Sequence, residues 1–335
     1  MTGTLPSEVD ATRHLVRPAL REAVQRLEPD LRGVVAYHLG WTDENGVPVD
    51  GDGGKSLRPA LVLLAAQAVR ARPEAALPGA VAVELVHNFS LLHDDVMDGD
   101  TERRHRPTVW RLFGTPTAIL AGDALLTLAV EVLEEAGDPA ATGELTTAVR
   151  RLIAGQSADI AFERRTEVGV DEYLRMADGK TASLMRCATA LGAVLGGAPD
   201  GAVRALGEFG RDLGMAYQLV DDLLGIRGTP EVTGKPVLAD LRARKKSVPV
   251  VVALESGTAD GAALARGYRD DRAPSEDDLR TMAALIERTG AIDWTRRRAH
   301  RYLEHARSCL DRVDVPPAIH AALSGLTQFV VERDR

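Results

Sequence analysis

Apolar residues recur at three- and four-residue spacing along almost all of this chain, and no run of five or more residues alternates apolar with polar between turn signals. A chain with that one period has helices to pack and no sheet to pack them on, so the expected fold class is all-α. The runs predict helices over roughly residues 8–38, 57–71, 76–98, 116–136, 140–165, 171–177, 181–195, 200–226, 247–256, 276–289, 291–313 and 316–332. Pro274 and Ser275 ahead of Asp278 make a capped helix start, and Gly290 interrupts the next apolar run. No repeat, low-complexity tract or Gly/Ser linker divides the chain. A single domain over 1–335 is therefore expected, with residues 1–40 as an N-terminal docking arm.

Composition narrows the partners. Aromatics are only 4% of the chain and the apolar mass is mainly Ala, Leu and Val, which favours closely packed helices. The formal charge of −8 argues against general binding to nucleic acid or anionic membranes. Cys187 and Cys309 are too few for a disulfide framework, and the default compartment is the reducing cytoplasm. The longest apolar stretch, PALVLLAAQAV, is shorter than the ~18 residues of a spanning helix, so no membrane span is expected.

Two acidic clusters carry the chemistry. ELVHNFSLLHDDVMDGD ends an apolar helix with Asp94, Asp95 and Asp98, and residues four apart share one helix face. Carboxylates of Asp94 and Asp98 aimed at one point repel unless a cation lies between them, and oxygen ligands that leave room for water and phosphate suit Mg²⁺. AYQLVDDLLGIRG places Asp221 and Asp222 near the end of a second apolar helix. Opposed across a cavity, the two clusters would hold several divalent cations around a diphosphate. Basic loops supply further partners for an anion: Lys55 and Arg58 in GGKSLRP, Arg103 and Arg104 in TERRHRP, and Lys235, Lys245 and Lys246 in TGKP…RARKKS.

GGKSLRP, HNFSLLHDDVMD followed by RRHRP, AGDALL, DGKTASL, YQLVDD and TGKPVLADLRARKKSVP occur in that order. With them the chain resembles the polyprenyl synthetase family, the trans-isoprenyl diphosphate synthases, across nearly its whole length. The resemblance implies a single large helical bundle around a deep central cavity, usually in a homodimer. It also implies a Mg²⁺-dependent prenyltransferase that joins isopentenyl diphosphate to allylic prenyl diphosphates.

By the same resemblance Asp94 and Asp98 ligate Mg²⁺ with Asp95 in support, and Asp221, supported by Asp222, holds a further Mg²⁺ from the opposite wall. Lys55, Arg58, His87 and Arg104 match positions that hold isopentenyl diphosphate. Arg103, Lys180, Lys235 and Lys245 match those that hold the allylic diphosphate. Thr181 and Gln218 match polar positions beside the reacting carbons. Gly225 stands where the family's second motif has a third aspartate, which is expected to weaken rather than abolish metal binding. Phe89 and Ser90, five and four residues before Asp94, resemble the chain-length positions of geranylgeranyl diphosphate synthases, with the large Phe89 as cavity floor. Geranylgeranyl diphosphate is thus the expected product and farnesyl diphosphate the alternative. The rival readings are a class I terpene cyclase of the same fold and a non-catalytic partner subunit.

Overall fold

The computed structural model describes residues 7–49, 56–227, 238–270 and 272–332, and the expectations for Lys55 and Lys235 lie outside the described residues. One long N-terminal helix was expected, but α1 (Ser7–Val24) and α2 (Pro29–His38) form instead. Pro29 lacks the N–H needed to continue the first helix and is preset to start the second. The remaining expected helices form to within about three residues: α3 (Leu57–Ala68), α4 (Leu77–Asp98), α6 (Thr115–Glu135), α7 (Pro139–Glu163), α8 (Val170–Ala177), α9 (Ser183–Leu195) and α10 (Asp200–Arg227). Towards the C-terminus they are α12 (Val248–Leu254), α14 (Glu276–Arg288), α15 (Ala291–Leu310) and α16 (Pro317–Glu332). The apolar periodicity did not foresee α5 (Val109–Phe113), α11 (Ala239–Arg242), α13 (Ala259–Arg269), or the hairpin of β1 (Glu102–Arg103) and β2 (Arg106–Pro107). Ser275 and Asp278 close the expected capping box at the start of α14.

α9 lies at the centre, between α3 on one side and α10 on the other. Glycines permit that closeness. A Cβ on Gly192 of α9 would stand 2.0 Å from the Val62 carbonyl oxygen of α3. A Cβ on Gly210 of α10 would stand 2.4 Å from the Met185 carbonyl of α9, and one on Gly214 would meet Ala182 Cα at 2.7 Å. Helices in backbone contact leave little volume for large rings, which explains the low aromatic content. Leu61, Leu64, Leu85, Leu184, Met185, Leu191, Phe209 and Leu213 fill the main core, and α1 and α2 contribute Val16, Leu20, Val24, Val35 and Tyr37 to it. A smaller core of Leu223, Ile226, Leu241, Val250, Leu279 and Ile286 lies under the C-terminal helices.

Two helical stretches correct the expectation about membrane-length segments: Pro73–Asp98 and Thr115–Glu135 are long and apolar enough to cross a membrane. Glu84, His87 and Asn88 break the first run in the sequence and conceal its length. In the fold, 67% of its most apolar window is buried by the rest of the protein, against 39% for Thr115–Glu135. Ile119 and Leu120 of α6 stand exposed, as do Leu112 of α5 and Ile153 of α7.

The Gly192 contact is backbone against backbone, so a methyl there cannot be relieved by a rotamer change. Gly192→Ala is expected to lose about 1–3 kcal/mol by overpacking. Urea unfolding measures this, and an unchanged midpoint would show that α3 and α9 can separate freely.

Candidate active site

α4 is apolar until its last turns and ends where Gly99, at φ +69°, returns its N–H to the Asp95 carbonyl. That end presents three carboxylates in different ways. Asp94 is half-buried, and burial raises its pKa, with Asp98 adding to the rise and Lys180 opposing it. Asp98 is exposed. Asp95 points inward and is only 2% exposed. Its Oδ1 accepts from Arg103 Nε at 2.8 Å, while Oδ2 is buried with no hydrogen-bond partner among the described residues. Burial outweighs Arg103 and pushes this carboxyl up to about 6.

The hairpin that carries Arg103 is held in a strained form. Arg103 pairs with Arg106, and the two residues between them, Arg104 and His105, both lie in the left-handed region at φ 53° and 60°. A two-residue hairpin of this type usually employs Asn or Gly there. The surroundings compensate: Arg106 donates to the Tyr37 carbonyl at 3.1 Å and the Thr42 carbonyl at 2.6 Å, and its guanidinium lies 4.1 Å above the Tyr37 ring. Tyr37 Oη donates to the Pro107 carbonyl at 2.7 Å. The end of α2 therefore fixes where Arg103 and Arg104 stand.

On the opposite side, α10 separates its two aspartates. Asp222 is buried and fully engaged: it accepts from Gln218 Nε2 at 2.9 Å, the Val248 N–H at 2.8 Å, and the Tyr173 hydroxyl. Burial still prevails over these donors and raises its carboxyl to about 7. Asp221, one residue earlier, is half-buried and lies near Arg58. Gln218 Oε1 accepts from Thr181 Oγ1 at 2.5 Å. Thr181 and Lys180 belong to a five-residue π turn, Asp178–Ala182, that joins α8 to α9. Lys180 Nζ donates to Asp159 Oδ2 of α7 at 2.5 Å.

Lys245 links the two walls. Burial alone would lower its pKa, yet Asp159, Asp240, Asp222 and Asp98 together raise it, so the ammonium stays charged within reach of both acidic helix ends. Arg58 and His87 form a second corner, where the positive charge is that of Arg58 and the neighbouring Arg104. Arg58 Nη1 donates to His87 Nε2 at 3.3 Å. Burial, then Arg58, Arg104 and Arg103, holds the imidazole well below its ordinary pKa, which favours its neutral form.

The structure thus gathers Asp94, Asp98, Lys180, Thr181, Gln218, Asp221 and Lys245, with Arg58, His87, Arg103 and Arg104 at the adjoining corner. Three participants were not foreseen. Glu84 is a buried carboxyl near Arg58 and Arg104, raised by burial, and Asn88 Nδ2 donates to it at 3.1 Å. Asp159 pairs with Lys180, and a lone Asp in the apolar run SADIAF was the available signal. Asp240 explains Gly225: a Cβ at 225 would stand 2.0 Å from Asp240 Oδ2. The space vacated by the missing third aspartate of α10 holds a carboxylate supplied by α11.

Among the described residues no three Asp, Glu, His or Cys side chains converge as a closed metal cage would require. All-oxygen walls with few direct protein ligands fit Mg²⁺, which retains waters and bridges to substrate phosphates. The carboxylates available to hold it are the half-buried Asp94 and Asp221 and the exposed Asp98.

Residues 48–286 match the Polyprenyl synthetase family. A Mycobacterium tuberculosis protein named (2E,6E)-farnesyl diphosphate synthase is 49% identical over 336 residues, covering 98% of this chain and 93% of the relative. A second M. tuberculosis protein, named geranylgeranyl diphosphate synthase, is 42% identical over 325 residues, covering 95% and 91%. The crystal structure of a polyprenyl synthetase from Streptomyces coelicolor superposes with a TM-score of 0.93 at 49% identity, covering 98% of this chain and 100% of that one.

Gly225→Ala places a methyl against the Asp240 carboxylate, which can swing aside. The expected result is a modest loss of about 1 kcal/mol, near the low end of overpacking. A crystal structure of the variant should show Asp240 displaced, and an unmoved Asp240 would refute the steric coupling.

Proposed function

The chain belongs to the polyprenyl synthetase family, and we propose that it condenses isopentenyl diphosphate with allylic diphosphates to give an all-trans short-chain product, geranylgeranyl diphosphate. The observation that carries this reading is the hydrogen-bonded line from Thr181 Oγ1 through Gln218 to Asp222, which ties the turn bearing Lys180 to the aspartate-bearing end of α10. Bound Mg²⁺ supplies Lewis-acid stabilisation of charge on a departing diphosphate. Lys180, Lys245 and Arg103 hold the allylic diphosphate against the walls, joined by Lys235 on the family resemblance. Arg58, His87 and Arg104, with Lys55 on the same resemblance, hold isopentenyl diphosphate. The hydroxyl of Thr181 and the amide of Gln218, already bonded to each other, orient their dipoles beside the reacting carbons and steady allylic positive charge. No strong protein base is needed, because the released diphosphate is placed to accept the proton. Apolar walls keep out the water that would trap the cation.

The proposed floor of the cavity is Phe89. It is 6% exposed, and its ring meets the His93 ring edge-on at a centroid distance of 4.8 Å. His93 is braced in turn: Nε2 lies 3.1 Å from the Ile119 carbonyl oxygen, and only a glycine at 122 leaves room for the ring. Ser90 is small and turns its hydroxyl back to the His87 carbonyl at 2.8 Å. A braced large residue followed by a small one supports the twenty-carbon product. Farnesyl diphosphate is the second reading, favoured by the higher identity to the relative named for it. The Arg58–His87 corner speaks against a terpene cyclase, which needs one diphosphate site, and walls that lack only the third aspartate of the second motif speak against a non-catalytic subunit.

We read α4 and α6 as bundle helices rather than membrane spans. The exposed Leu112, Ile119, Leu120 and Ile153 support a homodimer. Cys187 and Cys309, both free and buried, accord with a cytoplasmic location.

The purified chain, given Mg²⁺, isopentenyl diphosphate and each of the three shorter allylic primers, is expected to yield the twenty-carbon alcohol after dephosphorylation and chromatography. A fifteen-carbon end product would select the farnesyl reading. Hydrocarbon released from geranylgeranyl diphosphate alone would overturn the prenyltransferase reading. Phe89→Ala is expected to lengthen the product, and an unchanged length would place the floor elsewhere, such as on α6.

A further inference from the structure

The π turn at Asp178–Ala182 is an uncommon element, and three sets of contacts hold it. Asp178 opens the turn with a side chain only 16% exposed, clamped from two sides: Arg151 of α7 donates to Oδ2, and Arg211 Nε of α10 donates to Oδ1 at 2.6 Å. Arg211 is itself steadied, since Nη1 donates to Asp212 Oδ1 at 3.2 Å and Asp212 pairs with His305 of α15. The backbone of the turn also lies flush on α7. A Cβ at Gly155 would stand 2.2 Å from Lys180 N, and one at Gly179 would stand 2.8 Å from the Arg151 carbonyl oxygen. Ser183 Oγ closes the far side by donating to the Gly179 carbonyl at 2.5 Å.

A π turn inserts about one residue into the helical register, which rotates the residues beyond it by ~100°. Straightened to regular helix, this segment would swing Lys180 away from Asp159 and Thr181 away from Gln218. We propose that Asp178, clamped between Arg151 and Arg211, is the positioning residue that maintains the π turn and so sets Lys180 and Thr181 in the cavity. The side chain of Asp178 is engaged by Arg151 and Arg211, and it acts through the turn. The proposal rests on the assignment of Lys180 and Thr181 to the allylic site.

The test uses the full chain carrying Asp178→Asn, or Arg211→Gln as a variant outside the turn, beside Lys180→Ala and the Asp178→Asn/Lys180→Ala pair. Losing one charge-assisted bond is expected to raise KM for the allylic diphosphate about tenfold and to change KM for isopentenyl diphosphate by no more than about twofold. Amides 179–183 should exchange faster with deuterium in the substrate-free protein. In the double variant the two effects should multiply less than fully, because both act in part through the same ammonium. Unchanged allylic KM in both single variants, or full multiplication in the pair, overturns the proposal. Failure of the functional assignment is separable: Lys180→Ala would then leave the allylic KM alone. In that case faster exchange in Asp178→Asn keeps the anchor, and unchanged exchange removes it.

Discussion

The site depends on how closely α9 can lie against its neighbours. Gly192, Gly210 and Gly214 bring three helix backbones into contact, and Gly155 and Gly179 extend that contact along α7 to the segment bearing Lys180. Closeness of this kind is unforgiving: a single added methyl meets the backbone of the neighbouring element, which no rotamer change can move aside. In return, the polar groups that face the cavity stand on rigid supports. Thr181, Gln218 and Asp222 form one hydrogen-bonded line from the π turn to α10 because those two elements cannot drift apart.

Within that frame burial governs the electrostatics. Asp94, Asp95 and Asp222 are all raised above the usual carboxylate range by desolvation, and each has a cation or donor within reach that limits the rise. Neighbouring aspartates are divided between two tasks. Asp95 and Asp222 face inward and hold Arg103 and the Val248 N–H, while Asp94 and Asp221 are only half-buried. The overall charge of −8 describes the outer surface, and the interior of the site is a balanced array of opposed acids and bases.

Helical periodicity made most of the architecture legible, since a three-and-four apolar stripe has few other solutions. It missed the breaks that depend on single residues, as at Pro29, and the helix Ala259–Arg269, whose ADGAALARGYR carries too weak a stripe to stand out. Strands of two residues fall below any detectable period. The acidic motifs and basic loops were readable because each lies within a short contiguous string. Asp159, Asp178 and Asp240 were not, since their partners are distant in sequence: 21 residues from Asp159 to Lys180, and 33 from Asp178 to Arg211. Gly225 shows the limit of a linear motif most clearly. Along the chain it is a lost carboxylate; in space it is the notch that another carboxylate fills.

The fastening of the hairpin to α2 redraws the boundary of the working unit. The family match begins at residue 48, and a chain trimmed to that point would retain every carboxylate of both walls. It would lose Tyr37 and Thr42, and with them the groups that hold Arg106 and keep Arg104 and His105 in left-handed geometry. For anyone building truncations or chimaeras, keeping the hairpin's support means reaching back at least to Pro29, and keeping the main core whole means including α1.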